Sequence, residues 1–168
     1  MQLISPILVS VLGRTYEGQN CSLARALEVV GERWTPLILR DTLLQPRRFD
    51  ELLQRLGVAR NVLAERLQGL CDDGLLERHL YQEHPPRYEY AQTQKARDLW
   101  PAMAALISWG DRYYAPNGPP RVFHHRGCGG RVVVEARCEA CDASVTAAEI
   151  VAAPGPGATP IAAGNAVT

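Results

Sequence analysis

The chain has 168 residues, 46% of them apolar, and its 18 acidic and 18 basic side chains cancel. That length and apolar share suit one domain plus a small appendage and exclude a wholly disordered or collagen-like chain. Zero net charge excludes binding driven by overall basicity and leaves any nucleic-acid contact to a local patch.

Residues 1–13, MQLISPILVSVLG, are apolar but lack a charged leader. The run is too short to span a bilayer and Pro6 interrupts it, so an unstructured extension is expected and no membrane partner. The first helix is predicted over about Ser22 to Val30, with Leu23, Ala26, Leu27 and Val30 as its apolar stripe and Gly31 closing it. The second has a clear start: Thr35 can cap it and Pro36 fills the first turn, where a missing N–H costs nothing. It continues through Leu37, Ile38, Leu39, Leu43 and Leu44 and stops before Pro46, apolar nearly all round, as a buried central helix would be.

Arg47 and Arg48 read as a short connection. A third helix follows over about Phe49 to Leu56, with Leu52, Leu53 and Leu56 inward and Gly57 ending it. A fourth begins two residues later and places Val62, Leu63, Leu67 and Leu70 at helical spacing before the stop Asp72-Asp73-Gly74. LLERHLYQEHPPRYEYAQT then reads as two strands joined around Pro85-Pro86, with Leu76, Leu80, Tyr88 and Tyr90 as inner residues. A fifth helix is expected from about Thr93 to Tyr114, carrying Leu99, Met103, Leu106 and Ile107 plus Trp100, Trp109, Tyr113 and Tyr114. Pro101 should kink or restart it. Its apolar surface exceeds what a small domain needs, which points to a second copy of the chain.

Two helices separated by a tight turn, followed by a hairpin, are the plan of a winged helix-turn-helix. The fold class expected is therefore mainly α with a small β-hairpin wing, over residues 14–115. The stretch from Arg47 to Arg66 holds five arginines against three acids, the local basic patch such a fold requires. Arg60 and Asn61 fall in the first turn of the fourth helix, the end that meets base edges. Arg suits the O6 and N7 of guanine, and Asn suits adenine. Arg47, Arg48 and the start of the second helix at Thr35 suit phosphates. Arg66 flanks, reaching either phosphate or the acids Glu65 and Asp73, and Arg87 beside the prolines suits the minor groove or its rim.

Composition shifts after Pro120. His125-x-x-Cys128 and Cys138-x-x-Cys141, nine residues apart around Val132–Val134, have the spacing of a Cys3His structural Zn2+ site, with His124 as an alternative ligand. Residues 116–151 are thus expected to form a zinc-ribbon-like β hairpin, or else a small hairpin with reduced thiols. The remaining thiols, Cys21 and Cys71, stand alone. An odd cysteine count without a secretory signal fits a cytoplasmic chain. Cys21, near Arg25 and a helix start, is read either as a redox-sensing thiol or as a small buried residue; Cys71 is read as core. Residues 152–168 are Ala, Gly and Pro with little to bury, and are expected to be disordered. No Ser-His-Asp set, phosphate loop or paired-carboxylate site is visible, so an enzyme is not expected.

The residues Cys21-x-x-Ala24-Arg25-Ala26, Arg33-Trp34-Thr35, Arg47-Arg48-Phe49 and Pro85-Pro86-x-x-Glu89-Tyr90 resemble the HxlR-type regulators, relatives of the MarR regulators, over about Gly13 to Tyr114. The resemblance implies a winged-helix homodimer, joined by its terminal helices, that binds a double-stranded DNA operator and represses or activates transcription, with a small-molecule or redox inducer. Three positions depart from that pattern: Ala59 replaces a hydroxyl residue, Gln92-Thr93 replaces Leu-Thr, and Ala96 replaces a common Gly. Similar regulators begin near a segment like Leu12-Gly13-Arg14-Thr15-Tyr16, so a start at Val11 is an expectation too. The competing class is a winged-helix protein-interaction module that makes no DNA contact.

Overall fold

The computed structural model describes residues 15–158; the extension over 1–13, the Val11 start and the tail beyond 158 lie outside them. In chain order the elements are α1 (Ser22–Val30), α2 (Thr35–Thr42), β1 (Arg47–Arg48), α3 (Phe49–Leu56), α4 (Arg60–Asp72), β2 (Leu76–Gln82), β3 (Arg87–Gln92), α5 (Gln94–Arg97) and α6 (Trp100–Tyr114).

The core is built where α2, α3 and α4 converge on the sheet. Ile38, Leu39, Leu52, Leu63, Leu67, Leu70 and Leu76 are buried, and Trp34, Phe49, Tyr90, Leu99 and Met103 pack against them. Each fully buried Leu or Ile contributes about 1.5–3 kcal/mol relative to exposure, so these side chains fix the helices in place. The α4 stripe is the one expected: Leu63, Leu67 and Leu70 face in, while Arg60, Asn61, Ala64, Glu65 and Gln68 are exposed.

The α3–α4 turn depends on Gly57, whose φ of 61° is a left-handed conformation that side chains disfavour. Its N–H donates to Leu53 O at 3.0 Å and closes α3. Val58 then dips into the core, and Ala59 stands at the N-cap of α4 in extended conformation with no side-chain cap. At the other end of α3, Glu51 accepts from the Arg48 N–H at 2.8 Å, satisfying a donor that the helix leaves open.

Arg47 and Arg48 are not a plain connection but a third strand. β1 pairs antiparallel with β3 (Arg47 with Tyr90, Arg48 with Glu89), giving the strand order β1-β3-β2. Two residues of alternating burial carry no period for a sequence pattern to show. In the wing hairpin Leu76 pairs with Gln92 and Leu80 with Tyr88, with an irregularity between Leu80 and Gln82. Leu76 is buried as expected, but Leu80 is 51% exposed, because the hairpin projects past the core beyond its first residues.

The long fifth helix is two. Thr93 caps α5, its Oγ1 accepting from Ala96 N. The chain then breaks, and α6 starts at Trp100 with Pro101 in its first turn, where the missing N–H has no partner to lose. The second helix starts at Thr35 as expected, yet its cap position is Trp34 and Thr35 is itself buried. It ends at Thr42, short of Leu43 and Leu44. On α1 the start of the stripe faces outward, Leu23 65% exposed and Leu27 39%, while Ala24 is buried and Val29 and Val30 pack against the core.

Residues 116–151 hold no β hairpin of regular strands. The described backbone forms isolated bridges, His124 with Arg131 and Arg137 with Ser144, and a 3-10 turn over Ala147–Glu149. Val132–Val134, expected as a strand, lack ladder partners. Phe123 ties this segment to α6 by an edge-on contact with Trp100, ring centroids 4.8 Å apart.

Candidate nucleic-acid interface

Burying Leu63, Leu67 and Leu70 commits the opposite side of α4 to solvent. Arg60 and Asn61 therefore lie exposed on its first turn, with Ala64, Glu65 and Gln68 continuing the face. Arg60 is already oriented. Its Nη2 donates to Asp50 Oδ1 at 3.0 Å, and its guanidinium carbon lies 5.0 Å from the centre of the Phe49 ring. Arg48 lies 4.2 Å over the Tyr81 ring, a cation–π contact that holds a basic side chain of β1 against the wing. Arg87 is exposed at the first residue of β3, just after the wing loop.

Arg47 is tied inward, its Nε donating to Asp41 O at 3.1 Å. Asp41 is the hub of that corner: its carboxylate accepts from Arg40 Nε at 3.0 Å and Arg55 Nε at 3.2 Å with no exposed surface of its own. Burial pushes the Asp41 pKa up, but the hydrogen bonds and charges of Arg40 and Arg55 outweigh it and hold the carboxyl below its ordinary value. Sequence reasoning missed Asp41, because one acid in a helix gives no sign of its partners.

Thr35 and Arg66 are brought together elsewhere, in a recess of about 110 Å³ that also holds Glu28, Glu32 and Asp73. Arg66 is 18% exposed and pairs with Glu32 at 3.4 Å and Glu65 at 3.2 Å. The Thr35 N–H donates to Glu32 O at 3.0 Å. Three acids thus surround Thr35 and Arg66 in this recess; of the other sequence-expected contacts Arg48, Arg60, Asn61 and Arg87 are exposed and Arg47 is half-buried.

Cys21 is exposed at the N-cap of α1, and Arg25, one turn on, pairs with Glu28 at 3.0 Å. Cys71 is half-buried against the core, and burial raises its thiol pKa. In the C-terminal segment, His125 Nδ1 lies 3.2 Å from Cys128 Sγ. The backbone N–H groups of Cys141 and Ala140, with the Cys141 thiol, hold the Cys138 thiol below its ordinary pKa. Among the described residues no group of three or more His, Cys, Asp or Glu side chains is drawn together as a metal cage, so His125 with Cys128 and Cys138 with Cys141 stand as two pairs. A cleft of about 430 Å³ opens between α6 and this segment, lined by Arg40, Ile107, Asp111, Tyr114 and Phe123. Among the described residues no helix is long and apolar enough to cross a membrane.

A tight-turned helix pair whose second helix turns its polar face outward beside a β wing is the build of a helix-turn-helix transcriptional regulator. Residues 29–118 match the HxlR-like helix-turn-helix family, and the chain belongs to it. Rv3095 of Mycobacterium tuberculosis (strain H37Rv), named an HTH-type transcriptional regulator, is 43% identical over 150 residues, which is 89% of this chain and 94% of that protein. Among solved structures, PA1374 of Pseudomonas aeruginosa, named a transcription factor, is 39% identical, with a TM-score of 0.59 over 83% of this chain and 96% of its own. PA1607, also named a transcription factor, is 31% identical, with a TM-score of 0.72 over 82% of this chain and 97% of its own.

Proposed function

We propose that the protein is a homodimeric repressor that reads a double-stranded operator through α4. The observation that carries this is the division of α4 into a buried Leu63, Leu67 and Leu70 side and an open side led by Arg60 and Asn61. Arg60 and Asn61 meet bases, Arg47 and Arg48 meet phosphates, and Arg87 reaches from the wing to the neighbouring groove. Arg66 and Thr35 serve the inside of the protein. Being neutral overall, the chain relies on this local patch, and its affinity must fall steeply as rising salt lowers the entropy gained by releasing the counterions of the DNA.

A second copy is supported by the apolar surface on the two outer helices. Leu23 on α1 and Leu106, Trp109, Tyr113 and Tyr114 on α6 are 52–73% exposed, more than a soluble single copy usually leaves bare. Joining two copies here supplies two α4 helices for two half-sites, and occupancy of such a site blocks transcription. The test is a gel shift on the DNA upstream of the protein's own gene over a salt series, with sedimentation of wild type and Trp109→Glu. Salt-sensitive binding by a dimer, lost in the monomeric variant, supports the proposal. Absent or salt-insensitive binding points instead to an interaction module without DNA contact.

A further inference from the structure

The C-terminal segment contains the same turn twice, thirteen residues apart. In the first, His125 N–H donates to Gly130 O at 2.8 Å, Gly129 N–H to His125 O at 2.8 Å, and Val132 N–H to Phe123 O at 2.9 Å. In the second, Cys138 N–H donates to Ala143 O, Asp142 N–H to Cys138 O, both at 2.9 Å, and Val145 N–H to Ala136 O at 3.0 Å. The isolated bridges repeat on the same offset, His124 with Arg131 and Arg137 with Ser144. So does the backbone: Gly129 and Asp142 occupy equivalent positions with φ of 71° and 58°. Asp142 is the only described residue other than glycine with positive φ, a conformation that costs energy and persists only where its surroundings require it.

The thirteen-residue offset assigns partners. His125 occupies the place of Cys138, and Cys128 the place of Cys141. Each turn carries two metal-binding side chains three residues apart: His125 Nδ1 lies 3.2 Å from Cys128 Sγ, and the N–H groups of Ala140 and Cys141 donate to the Cys138 sulfur. His124 is equivalent to Arg137, not to a ligand position, and its Nδ1 is engaged with Gly129 O at 2.8 Å. The alternative between the two histidines thus resolves in favour of His125.

Burial does not account for this order. Between residues 116 and 151 no residue is buried, and only Phe123, Cys138 and Val145 are even half-buried. A segment this small, without a core, needs a cross-link or a metal to hold defined turns.

We propose that the two turns are knuckles that together bind one structural Zn2+ per chain, with His125 and Cys128 from the first and Cys138 and Cys141 from the second. The three thiols lose their protons to solvent on binding, and the imidazole coordinates in its neutral form, giving a Cys3His tetrahedron with no open position for catalysis. The two pairs do not form one cage among the described residues, so a shared ion requires the knuckles to close onto each other, on an arm that Phe123 anchors to α6. This holds whether or not α4 reads DNA.

The test is elemental analysis of the full chain purified without chelators, followed by Co2+ titration of the stripped protein. One zinc per chain is expected, with the thiolate charge-transfer and intense visible bands of tetrahedral cobalt. Cys128→Ser, Cys138→Ser and His125→Asn should each drop the stoichiometry towards zero, while Cys21→Ser, Cys71→Ser and His124→Asn keep it at one. The wild-type cobalt spectrum decides the matter even if a variant misfolds. Absence of zinc with no tetrahedral spectrum, half an equivalent per chain, or loss in His124→Asn instead of His125→Asn overturns the proposal.

Discussion

Arg60 on α4 and Asp50 on α3 form an ion pair at 3.0 Å, with both side chains largely exposed, 67% and 76%. So open a pair adds little to stability. Its effect is on binding: Asp50 holds the guanidinium in place but must release or share it when a base edge accepts from Arg60. Arg60→Ala should weaken operator binding by about 1–3 kcal/mol and relax preference at one base pair. Asp50→Asn should leave the urea midpoint unchanged and shift operator affinity, raising it if the acid competes with the base. Fluorescence anisotropy on operator and scrambled duplexes separates these outcomes; equal loss on both duplexes in Arg60→Ala would make it a phosphate contact.

Arg66 gives the opposite pattern. Its side chain is mostly covered and bridges Glu32, just after α1, and Glu65 on α4. Removing it leaves two acids close together with Glu28 and Asp73 nearby. Arg66→Ala is expected to cost about 1–2 kcal/mol of stability, seen as a lower urea midpoint, while the ratio of operator to random-sequence affinity stays at the wild-type value. A changed ratio at unchanged stability would place Arg66 at the DNA.

Much of this was legible in the sequence. The α4 stripe was, because Leu63, Leu67 and Leu70 sit on a helical period with nothing to compete. The α3–α4 turn was, because Gly57 marks a left-handed cap. The exposure of Arg60 and Asn61 follows from those two, since fixing the buried face fixes the open one, while Arg87 was placed by the prolines of the wing loop. What escaped depends on contacts distant in sequence. β1 exists because Arg47 and Arg48 meet Tyr90 and Glu89, and two residues carry no period. The outward turn of Leu23 and Leu27 on α1 was missed because an apolar stripe announces burial without saying whether the cover comes from the same chain. Arg66 was ambiguous because Glu32, its distant partner, lies in the connection between α1 and α2.

Asp41 makes stability depend on pH in a defined window. Its folded-state pKa lies below the ordinary 3.8, because the bonds from Arg40 and Arg55 outweigh its burial. A depressed carboxylate contributes stability that is fully present above its unfolded value and is lost as pH falls through the folded one. The wild type should therefore lose stability below about pH 4. Asp41→Asn should be weaker at neutral pH by roughly 1–3 kcal/mol, below the range for a fully buried pair that is broken, because both arginines stay partly in water. It should also lose less on acidification. Urea titrations at pH 7 and pH 3 for both proteins test this; parallel losses would remove Asp41 from the acid response.

Gln92 is a buried polar side chain in an apolar place. Its Nε2 donates to Leu39 O at 2.7 Å and to Thr42 Oγ1 at 3.3 Å, closing the last turn of α2 from β3. Among the described residues its Oε1 is buried without a partner, and Gln92 lines a space of about 10 Å³ with Leu39, Leu43, Ala96 and Trp100, room for about one water. Two effects therefore oppose each other. Gln92→Leu gives up the bonds to α2 but removes an orphaned acceptor and keeps the volume, so it should change stability by less than about 1 kcal/mol. Gln92→Ala gives up the bonds and the packing and should cost about 2–4 kcal/mol. If chemical denaturation finds Leu as damaging as Ala, the tie from Gln92 to the end of α2 outweighs the unpaired oxygen, and polarity at this position is required by the fold.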